Sequence, residues 1–266
     1  MTLKPIVIFG LALLAAVPQV AAAAPDVTFL CNRMPEICTN MCWAVRCASP
    51  KFPTRLTWDN PNSQTEKDRR KSAGCGSNNK CGVRGKGKPG HRGGINNSCD
   101  EYPFASTSQS KTSNGHQVSR CVPGSQNSSQ GGKLSGLYNG FKKKGYKTRS
   151  FSIGFGNPGS RGVKYCGNQQ CKNDGFQVQD GKIKKRGEDP DFRFYKTSSG
   201  MILGSMEEIA PRSNFTREVD QAETKLATLA AFDTWTEDFD GEDVNVISDI
   251  VLEEISAEEA MKEFEK

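Results

Sequence analysis

Ten cysteines constrain the fold of this chain more than any other feature of its sequence. All of them lie between Val27 and Lys172. An even number of cysteines in an oxidising compartment indicates up to five disulfides. A cysteine-based zinc site is disfavoured, because no pair of Cys-x-x-Cys motifs occurs and the chain has only 2 histidines. The residues expected in disulfides are Cys31, Cys38, Cys42, Cys47, Cys75, Cys81, Cys99, Cys121, Cys166 and Cys171.

The sequence leaves the pairing open, but local spacing favours three bridges. Two cysteines flank a predicted hairpin, and two further pairs could each close a tight loop. The favoured bridges are Cys99–Cys121, Cys75–Cys81 and Cys166–Cys171. Cys38 and Cys42 lie one helical turn apart, so we expect each of them to bond a different element rather than each other.

The first 24 residues have the pattern of a secretory signal peptide. Lys4 precedes an apolar run from Ile6 to Val17, and the small residues Ala21–Ala24 follow as an A-x-A-like cleavage site. The apolar run is too short to span a bilayer, which disfavours the alternative of an N-terminal membrane anchor. We therefore expect a secreted, extracellular protein that begins near Ala24 or Pro25 and does not enter a membrane.

Charge is divided unevenly along the chain. From Glu207 onward there are 18 acidic and 5 basic side chains, a net of −13, whereas residues 1–206 carry +19. A secreted domain this basic is typical of a protein that binds a polyanion. The acidic segment 207–266 shows helix-like apolar spacing over Val219–Phe232 and Val246–Phe264. Two interpretations of it stay open, a solvated extension and an intramolecular mask over the basic surface.

A hairpin followed by a helix is predicted between Cys99 and Phe141. The turn contains Asn114-Gly115, the second strand runs to Pro123, and the polar stretch Gln126–Gly132 predicts a loop. The helix after it ends at Gly145. Three lysines precede this glycine, and their positive charge suits the negative end of the helix dipole. Its apolar positions have the i, i+3, i+4, i+7 spacing of an amphipathic helix: Leu134, Leu137, Tyr138 and Phe141.

Shorter elements are predicted on both sides of this hairpin. The upstream ones are a strand at Asp26–Cys31, a helix from Pro35 to about Cys47, a strand at Leu56–Asp59, a helical turn within Pro61–Lys71 and a basic, disulfide-stapled loop at Gly74–Asn97. The downstream ones are short strand patterns at Phe151–Phe155, Val163–Tyr165, Phe176–Val178, Phe192–Tyr195 and Met201–Leu203.

Oxygen-bearing side chains lie at the start of the hairpin and at the start of the polar stretch. Hydrolysis of a phosphodiester needs a base for the attacking water and positive charge for the phosphoryl oxygens, and a hard divalent cation with one or two protein oxygen ligands suits this chemistry. Asp100, Glu101 and Asn127 are such ligands. Because successive side chains of a strand face opposite ways, we expect one of the two carboxylates to be catalytic and the other structural.

Three neighbouring motifs are distinctive in combination. They are Cys99-Asp-Glu-Tyr-Pro-Phe-Ala-Ser-Thr107, Arg120-Cys-Val-Pro123 and Gln126-Asn-Ser-Ser-Gln-Gly131. Upstream they are preceded by Arg33-Met-Pro-Glu36, Asp68-Arg-Arg70 and Lys88-Pro-Gly90. Together, these motifs resemble the NucA/NucB family of secreted deoxyribonucleases, over roughly Val27 to Lys144.

The resemblance implies a ββα-metal nuclease core and assigns roles to residues within it. Asp100 takes the position of the general base, and Glu101 is its neighbour in the active site. Asn127, together with Glu101, is the expected ligand of a single Mg²⁺ or Mn²⁺, and Gln130 is a supporting polar group. Many ββα-metal enzymes use a histidine where this motif has an acid, so His116 and His91 are reserve catalytic candidates.

Basic residues around this core are candidate contacts for DNA phosphates, which position the backbone without reading the bases. They are Arg69, Arg70, Arg92, Arg120 and Lys142. Three N-glycosylation sequons occur, at Asn96, Asn127 and Asn214. A glycan on Asn127 would block metal binding, so we expect that residue to stay unmodified and regard Asn96 and Asn214 as the glycosylation candidates.

The sequence therefore predicts an α+β fold in four parts: signal peptide 1–24, NucA/NucB-like nuclease core 25–145, β-rich extension 146–206 packed on the core, and acidic, partly helical tail 207–266. The predicted function is a monomeric, metal-dependent endonuclease acting on extracellular DNA with little sequence specificity. The alternative is a non-catalytic, cysteine-rich secreted binding protein or toxin that uses its basic face for nucleic acid or anionic surfaces.

Overall fold

The computed structural model describes residues 23–113, 115–183, 192–219, 234–239 and 242–264, with only the backbone for 216–219, 234–239 and 242–247. Within these ranges the chain has a mixed α+β fold with four α-helices, two sheets and five disulfides. None of the described helices is long and apolar enough to cross a membrane. Most of the predicted signal peptide and nearly all of Val219–Phe232 lie outside the described residues.

Each helix begins or ends where local chemistry dictates. Pro35 occupies the first position of the first helix, which continues beyond Cys42 as a π-helical turn, Trp43–Cys47. Asn62 caps the second helix by accepting a hydrogen bond from the Thr65 amide at 2.8 Å. The bounds are α1 Pro35–Cys42, α2 Ser63–Ser72, α3 Gly124–Lys143 and α4 Ala257–Phe264.

The strands form two separate sheets. Those of the larger sheet are β1 Val27–Leu30, β2 Arg55–Trp58, β5 Arg149–Gly156, β8 Arg193–Thr197, β9 Ile202–Ser205, β10 Asn214–Val219, β11 Thr234–Phe239 and β12 Glu242–Ile255. Those of the smaller sheet are β3 Ser98–Tyr102, β4 Val118–Val122, β6 Val178–Gln179 and β7 Lys182–Ile183, in that order.

Strand β5 pairs with three strands of the larger sheet. It lies parallel to β1, with Val27 opposite Ile153, and antiparallel to β2 and β9. Its inward side chains Phe151 and Phe155 are fully buried. The sheet therefore runs across the predicted boundary at residue 145, and β1 and β2 of the predicted core share one ladder with the predicted β-rich extension.

The hairpin β3–β4 leads directly into α3, and α1 packs against both of its strands and against α3. The predicted apolar stripe is confirmed, since Leu134 and Tyr138 are buried. Gly145, with φ +78°, follows the helix end as predicted. The prediction of a loop at Gln126–Gly132 is wrong, because α3 begins at Gly124. The polar side chains on its first turns bond to the hairpin, so this stretch needs no apolar stripe to dock.

The five disulfides differ from the three bridges that local spacing favoured. The observed pairs are Cys31–Cys38, Cys42–Cys166, Cys47–Cys171, Cys75–Cys99 and Cys81–Cys121. Each cysteine predicted to close a tight loop instead bonds an element distant in sequence. The loop after α2 lies on the hairpin and reaches both of its strands, and the segment around residue 170 lies along the end of α1. The expectation that Cys38 and Cys42 bond different elements is confirmed.

Most predicted strands are present, and the exception has a local cause. Val163–Tyr165 forms no strand, because the amide of Lys164 donates to the Thr39 hydroxyl of α1 at 2.9 Å and Tyr165 has a positive φ of 68°. Phe176–Val178 is extended only at its end, where β6 begins at Val178.

The acidic segment is part of the fold where it is described. The helix-like pattern over Val246–Phe264 is wrong for its first half, which forms β12, and correct for α4. β12 pairs with β8, burying Val251, and Ala260 of α4 is fully buried in the main core. β12 and α4 follow each other closely in the sequence, and each has an apolar face. The periodicity of the apolar residues therefore did not distinguish the strand from the helix.

The paired bridges Cys42–Cys166 and Cys47–Cys171 generate a stability prediction. Each bridge alone closes a loop of 124 residues. While one bridge is intact, however, the second bridge closes only the two short segments that separate the bridges along the chain. Replacing both cysteines of one bridge by alanine should therefore lower the free energy of unfolding by about 3 kcal/mol, and removing both bridges should lower it by about 7 kcal/mol. Denaturant titration without reductant measures both values.

The control combines removal of Cys42–Cys166 with removal of Cys31–Cys38, a separate loop of 7 residues. Those two losses should add. Strict additivity for the two long bridges as well would contradict the shared-loop account.

Candidate active site at the hairpin–helix junction

Asn127 lies on the first turn of α3, where the helix meets β3. Its Nδ2 donates to Ser98 Oγ at 2.8 Å and to the Cys99 carbonyl at 3.3 Å. These two bonds fix the orientation of the amide, because they occupy its donor atom. The carbonyl oxygen Oδ1 is then the atom of Asn127 that remains for a cation or a water molecule.

Glu101 lies on the same face of β3 as Cys99, two residues further along the strand. At about 3.3 Å per residue, its Cα is roughly 7 Å from that of the residue to which Asn127 is bonded. The backbone amide of Ala105 lies close enough to its carboxylate to lower the pKa of Glu101, and Arg70 Nε is 3.6 Å from its Oε1. The side chain is only 12% exposed. Burial raises the pKa of Glu101 to about 7, although the positive charge of Arg70 partly offsets this rise.

The segment after β3 explains why the Asp-Glu motif continues with Tyr-Pro-Phe-Ala. Tyr102 and Phe104 pack edge to face with their ring centroids 5.2 Å apart and are buried. This anchors the turn, so that the Ala105 amide faces Glu101 while its carbonyl accepts a hydrogen bond from Arg69 at 3.0 Å. The motif therefore positions one carboxylate by packing the residues that follow it.

Asp100 faces the opposite side of β3, as alternation along a strand predicts. It is 2% exposed, and its Oδ2 accepts a hydrogen bond from Asn40 Nδ2 of α1 at 2.8 Å. Gln130 of α3 lies close enough to this carboxyl to oppose the rise in its pKa. Burial, reinforced by the negative charge of Glu101, raises the pKa of Asp100 to about 8. Asp100 thus links α1, β3 and α3 in the interior.

A cavity of about 270 Å³ opens between β3, α2 and α3, and we call it the Glu101–Asn127 cavity. Glu101, Asn127, Gln130 and Arg70 line it together with Phe104 and Leu134. Asp100 is not among its lining residues, so the structure brings together three of the four predicted catalytic residues. Gln130 lies between the two groups, because it is near Asp100 and also lines the cavity.

The two histidines lie away from this cavity. His116 is exposed in the hairpin turn, at the far end of β4 from α3. His91 Nδ1 is 2.7 Å from the Lys80 carbonyl in the basic loop. Neither residue lines the Glu101–Asn127 cavity, so their placement gives no support to the reserve catalytic assignment.

Three of the predicted phosphate contacts are engaged in internal ion pairs. Arg69 pairs with Asp59 at 2.6 Å, and Arg92 donates to Glu36 at 2.9 Å. Arg120 has only 1% of its side chain exposed, between Glu36 and Asp174. Their ion pairs disfavour the predicted contact with DNA, because each guanidinium would have to leave a buried or half-buried carboxylate.

Arg70 and Lys142 are more accessible to a phosphate, although Arg70 also pairs with Glu66 at 3.3 Å on the helix surface. The side chain of Arg70 is 49% exposed at the mouth of the Glu101–Asn127 cavity. Lys142 is exposed near the end of α3, and its Nζ lies 5.9 Å from the centre of the Trp58 ring.

Sequence reasoning missed two residues that orient this site. Asn40 holds Asp100, and its only signal is a polar side chain on a helix face that is otherwise buried. Ser98 holds Asn127 across the hairpin–helix junction. In the sequence it is merely the third residue of the sequon at Asn96, which gave no hint of this contact.

At Asn127 itself, the bonds to β3 use Nδ2, the atom to which a glycan would be attached.

Comparison with known protein families places this geometry in context. Residues 41–148 match the family model of Deoxyribonuclease NucA/NucB. The matched segment contains β3, β4, α3 and every lining residue of the Glu101–Asn127 cavity. Over these 108 of its 266 residues, the chain is similar to the NucA/NucB family of deoxyribonucleases. No curated protein and no solved structure gives a significant match to the chain.

The matched segment ends at residue 148, immediately before β5. Within this segment, the hairpin supplies Glu101 and the following helix supplies Asn127, so that both face one cavity. In the part of the chain that the structure describes, no three His, Cys, Asp or Glu side chains converge as a metal site. A cation in this cavity would therefore be held by the Asn127 amide and water, with Glu101 as the one carboxylate beside it.

Ser98→Ala tests the fixed orientation of Asn127. Loss of the 2.8 Å bond from Nδ2 frees the amide to rotate, so we expect the divalent-ion concentration that gives half-maximal nuclease activity to rise by 10- to 100-fold. Activity should recover at high metal concentration. Ser108→Ala, which alters an exposed serine bonded to Gln109, is the matched control. A metal requirement that does not change in Ser98→Ala would refute the positioning role.

The raised pKa of Asp100 predicts a pH-dependent stability. In the folded state this carboxyl keeps its proton up to about pH 8, whereas in the unfolded chain it loses it near pH 4. Stability in the presence of a chelator should therefore fall as the pH rises from 5 to 7, and Asp100→Asn should remove up to about 1.4 kcal/mol per pH unit of that fall.

Denaturant titrations at pH 5, 6 and 7 measure this dependence. Asp180→Asn, at an exposed turn residue, is the control. A variant at Asp100 that keeps the full wild-type slope would show that another group is responsible.

Proposed function

We propose that this chain is a secreted, metal-dependent endodeoxyribonuclease that hydrolyses extracellular DNA with little sequence specificity. The observation that carries the proposal is the Glu101–Asn127 cavity, in which a buried carboxylate and an oriented amide oxygen meet at the junction of a hairpin and a helix within the NucA/NucB-like segment. This succession supports the assignment of a ββα-metal type of core. The five disulfides favour an oxidising compartment, in agreement with the predicted signal peptide.

A hard divalent cation, Mg²⁺ or Mn²⁺, fits the donor set of this cavity. Asn127 Oδ1 is a hard donor, and such ions retain several waters and need few protein ligands. When bound, the ion supplies positive charge to the phosphoryl oxygens. We assign Asn127 as the principal ligand, because its donor atom is already held by β3 and only its oxygen is available.

Glu101 is our candidate for the general base. Its carboxylate is inside the cavity, and a pKa near 7 allows it to accept a proton from water at neutral pH. Sequence reasoning gave this role to Asp100, but Asp100 is directed into the interior and bonded to Asn40. We therefore assign Asp100 a positioning role, acting through Gln130 on the cavity wall.

Arg70 is our candidate for the group that holds the scissile phosphate. Its guanidinium is half exposed at the cavity mouth and lies next to Glu101. Contacts of this kind address the sugar–phosphate backbone and not the base edges, so they predict cleavage with little sequence preference and strong inhibition by salt.

The competing function is a secreted protein that binds polyanions without hydrolysing them. Such a protein would need only the basic face, and this function would not explain why Glu101 and Asn127 line one cavity.

Masking of the basic face by the acidic segment also remains a prediction, since the ion pairs described for that segment are with Arg193 and Lys262.

Nicking of supercoiled plasmid with Mg²⁺, with Mn²⁺ and with chelator tests the proposed function. Wild type should nick the plasmid only when a divalent ion is present, whereas a pure binder leaves the plasmid intact. Glu101→Gln should lower the cleavage rate at least 100-fold, because it removes the base while keeping the shape of the side chain. Glu254→Gln, an exposed residue paired with Arg193, is the matched control and should cleave like wild type.

The same assay separates the roles within the cavity. Glu101→Gln should lower kcat without changing the metal concentration needed for half-maximal rate, whereas Asn127→Ala should raise that concentration. A raised metal requirement in Glu101→Gln would instead make this carboxylate a ligand. Wild-type rates in both variants would remove the site.

A further inference from the structure

A second and larger cavity adjoins the Glu101–Asn127 cavity. It has a volume of about 670 Å³ and lies between α2 and the loop at residues 74–79. We call it the α2 cavity. Arg70 lines both cavities. Cys75 lines the α2 cavity, and its disulfide partner Cys99 lines the other. The two cavities are therefore separated by one disulfide and connected by one arginine.

The cations of the α2 cavity share one face of the helix. Lys67, Arg70 and Lys71 are spaced i, i+3 and i+4, so they lie side by side, and all three are exposed. Among the described residues, neither lysine has an ion-pair partner. The one acid on this wall, Asp68, accepts a hydrogen bond from Gln64 at 3.0 Å. The cavity consequently has a net positive lining.

Helix α2 contributes no buried residue to the core. Helices in folded proteins usually owe their stability to an apolar face, which this one lacks. Polar ties hold it instead: Asn62 caps its start, and Arg69 near its end bonds both Asp59 and the Ala105 carbonyl. The second tie joins α2 to the turn whose amide lies close to Glu101. The helix is thus held in register with the site by contacts that leave Lys67 and Lys71 exposed.

The opposite wall is held in place as well. Asn79 Nδ2 donates to the Gly76 carbonyl at 2.9 Å, and Lys88 Nζ donates to the Asn78 carbonyl at 2.7 Å. The Cys75–Cys99 bridge ties the same loop to β3. The cavity is therefore bounded on one side by a row of cations and on the other by a constrained backbone.

We propose that the α2 cavity binds the phosphate backbone of the substrate strand on one side of the scissile phosphate, with Lys67 and Lys71 as its contacts. This inference rests on the proposed function for the identity of the polyanion. A DNA strand whose scissile phosphate lies at Arg70 continues along the row of cations into the α2 cavity. The enzyme then favours substrates that extend several nucleotides beyond the cleaved bond.

Binding of a fluorescent 30-base-pair duplex, measured by anisotropy in chelator so that no cleavage occurs, tests the proposal. Each phosphate contact contributes about 0.9 to the slope of log K against log salt concentration. Lys67→Ala/Lys71→Ala should therefore reduce the steepness of that slope by about 1.8. The double variant Lys172→Ala/Lys196→Ala removes the same charge at exposed residues elsewhere and should keep the wild-type slope.

Cleavage supplies a second readout. The ratio of kcat/KM on the duplex to kcat/KM on a dinucleotide should fall at least tenfold in Lys67→Ala/Lys71→Ala and should not change in the control. A wild-type slope in Lys67→Ala/Lys71→Ala, or an equal change in the control, would overturn the proposal. A loss of affinity for heparin, together with an unaltered salt dependence of DNA binding, would also overturn it, because the cavity would then bind a different polyanion. Failure of wild type to cleave DNA would refute the proposed function, and the binding slopes would still decide whether the cavity binds DNA.

Discussion

The hydrogen bonds between the Asn127 amide and β3 are the interaction on which the candidate site depends. They join the first turn of α3 to the first residues of β3. Because they hold the Asn127 amide in place, they also fix the direction in which its oxygen points. A side chain that is oriented in this way can bind a cation without first losing conformational freedom. The polar stretch at the start of α3 is kept helical by such contacts and not by an apolar face.

The two carboxylates of the Asp-Glu motif show how neighbouring residues can have different tasks. Strand alternation places Asp100 in the interior and Glu101 in the cavity. Burial raises both pKa values, but only Glu101 meets the cavity and an exposed arginine. The interior carboxyl bonds α1 and lies close to α3, so it couples the positions of the elements that form the cavity. Two disulfides, Cys75–Cys99 and Cys81–Cys121, attach the basic loop to the two strands of the same hairpin.

The sequence was sufficient to predict elements with a strong local signal. The apolar stripe of α3, the helix that begins at Pro35 and the turn at Gly145 were all predictable from spacing and end signals. Disulfide pairing was not, because it follows from which loop covers which strand. The roles of Arg69, Arg92 and Arg120 were also hidden, since their carboxylate partners lie far along the chain or on other elements. Motif and alternation together predicted that one carboxylate would be structural, and the burial of Asp100 against α1 is what favours Asp100 for that role.

Anomalous diffraction from a crystal of the protein soaked in Mn²⁺ is the most direct test of the central claim. The account predicts one strong peak in the Glu101–Asn127 cavity, at direct coordination distance from Asn127 Oδ1, and its loss in Asn127→Ala. A peak that persists in Asn127→Ala, or a peak found only at another place on the protein, would contradict it.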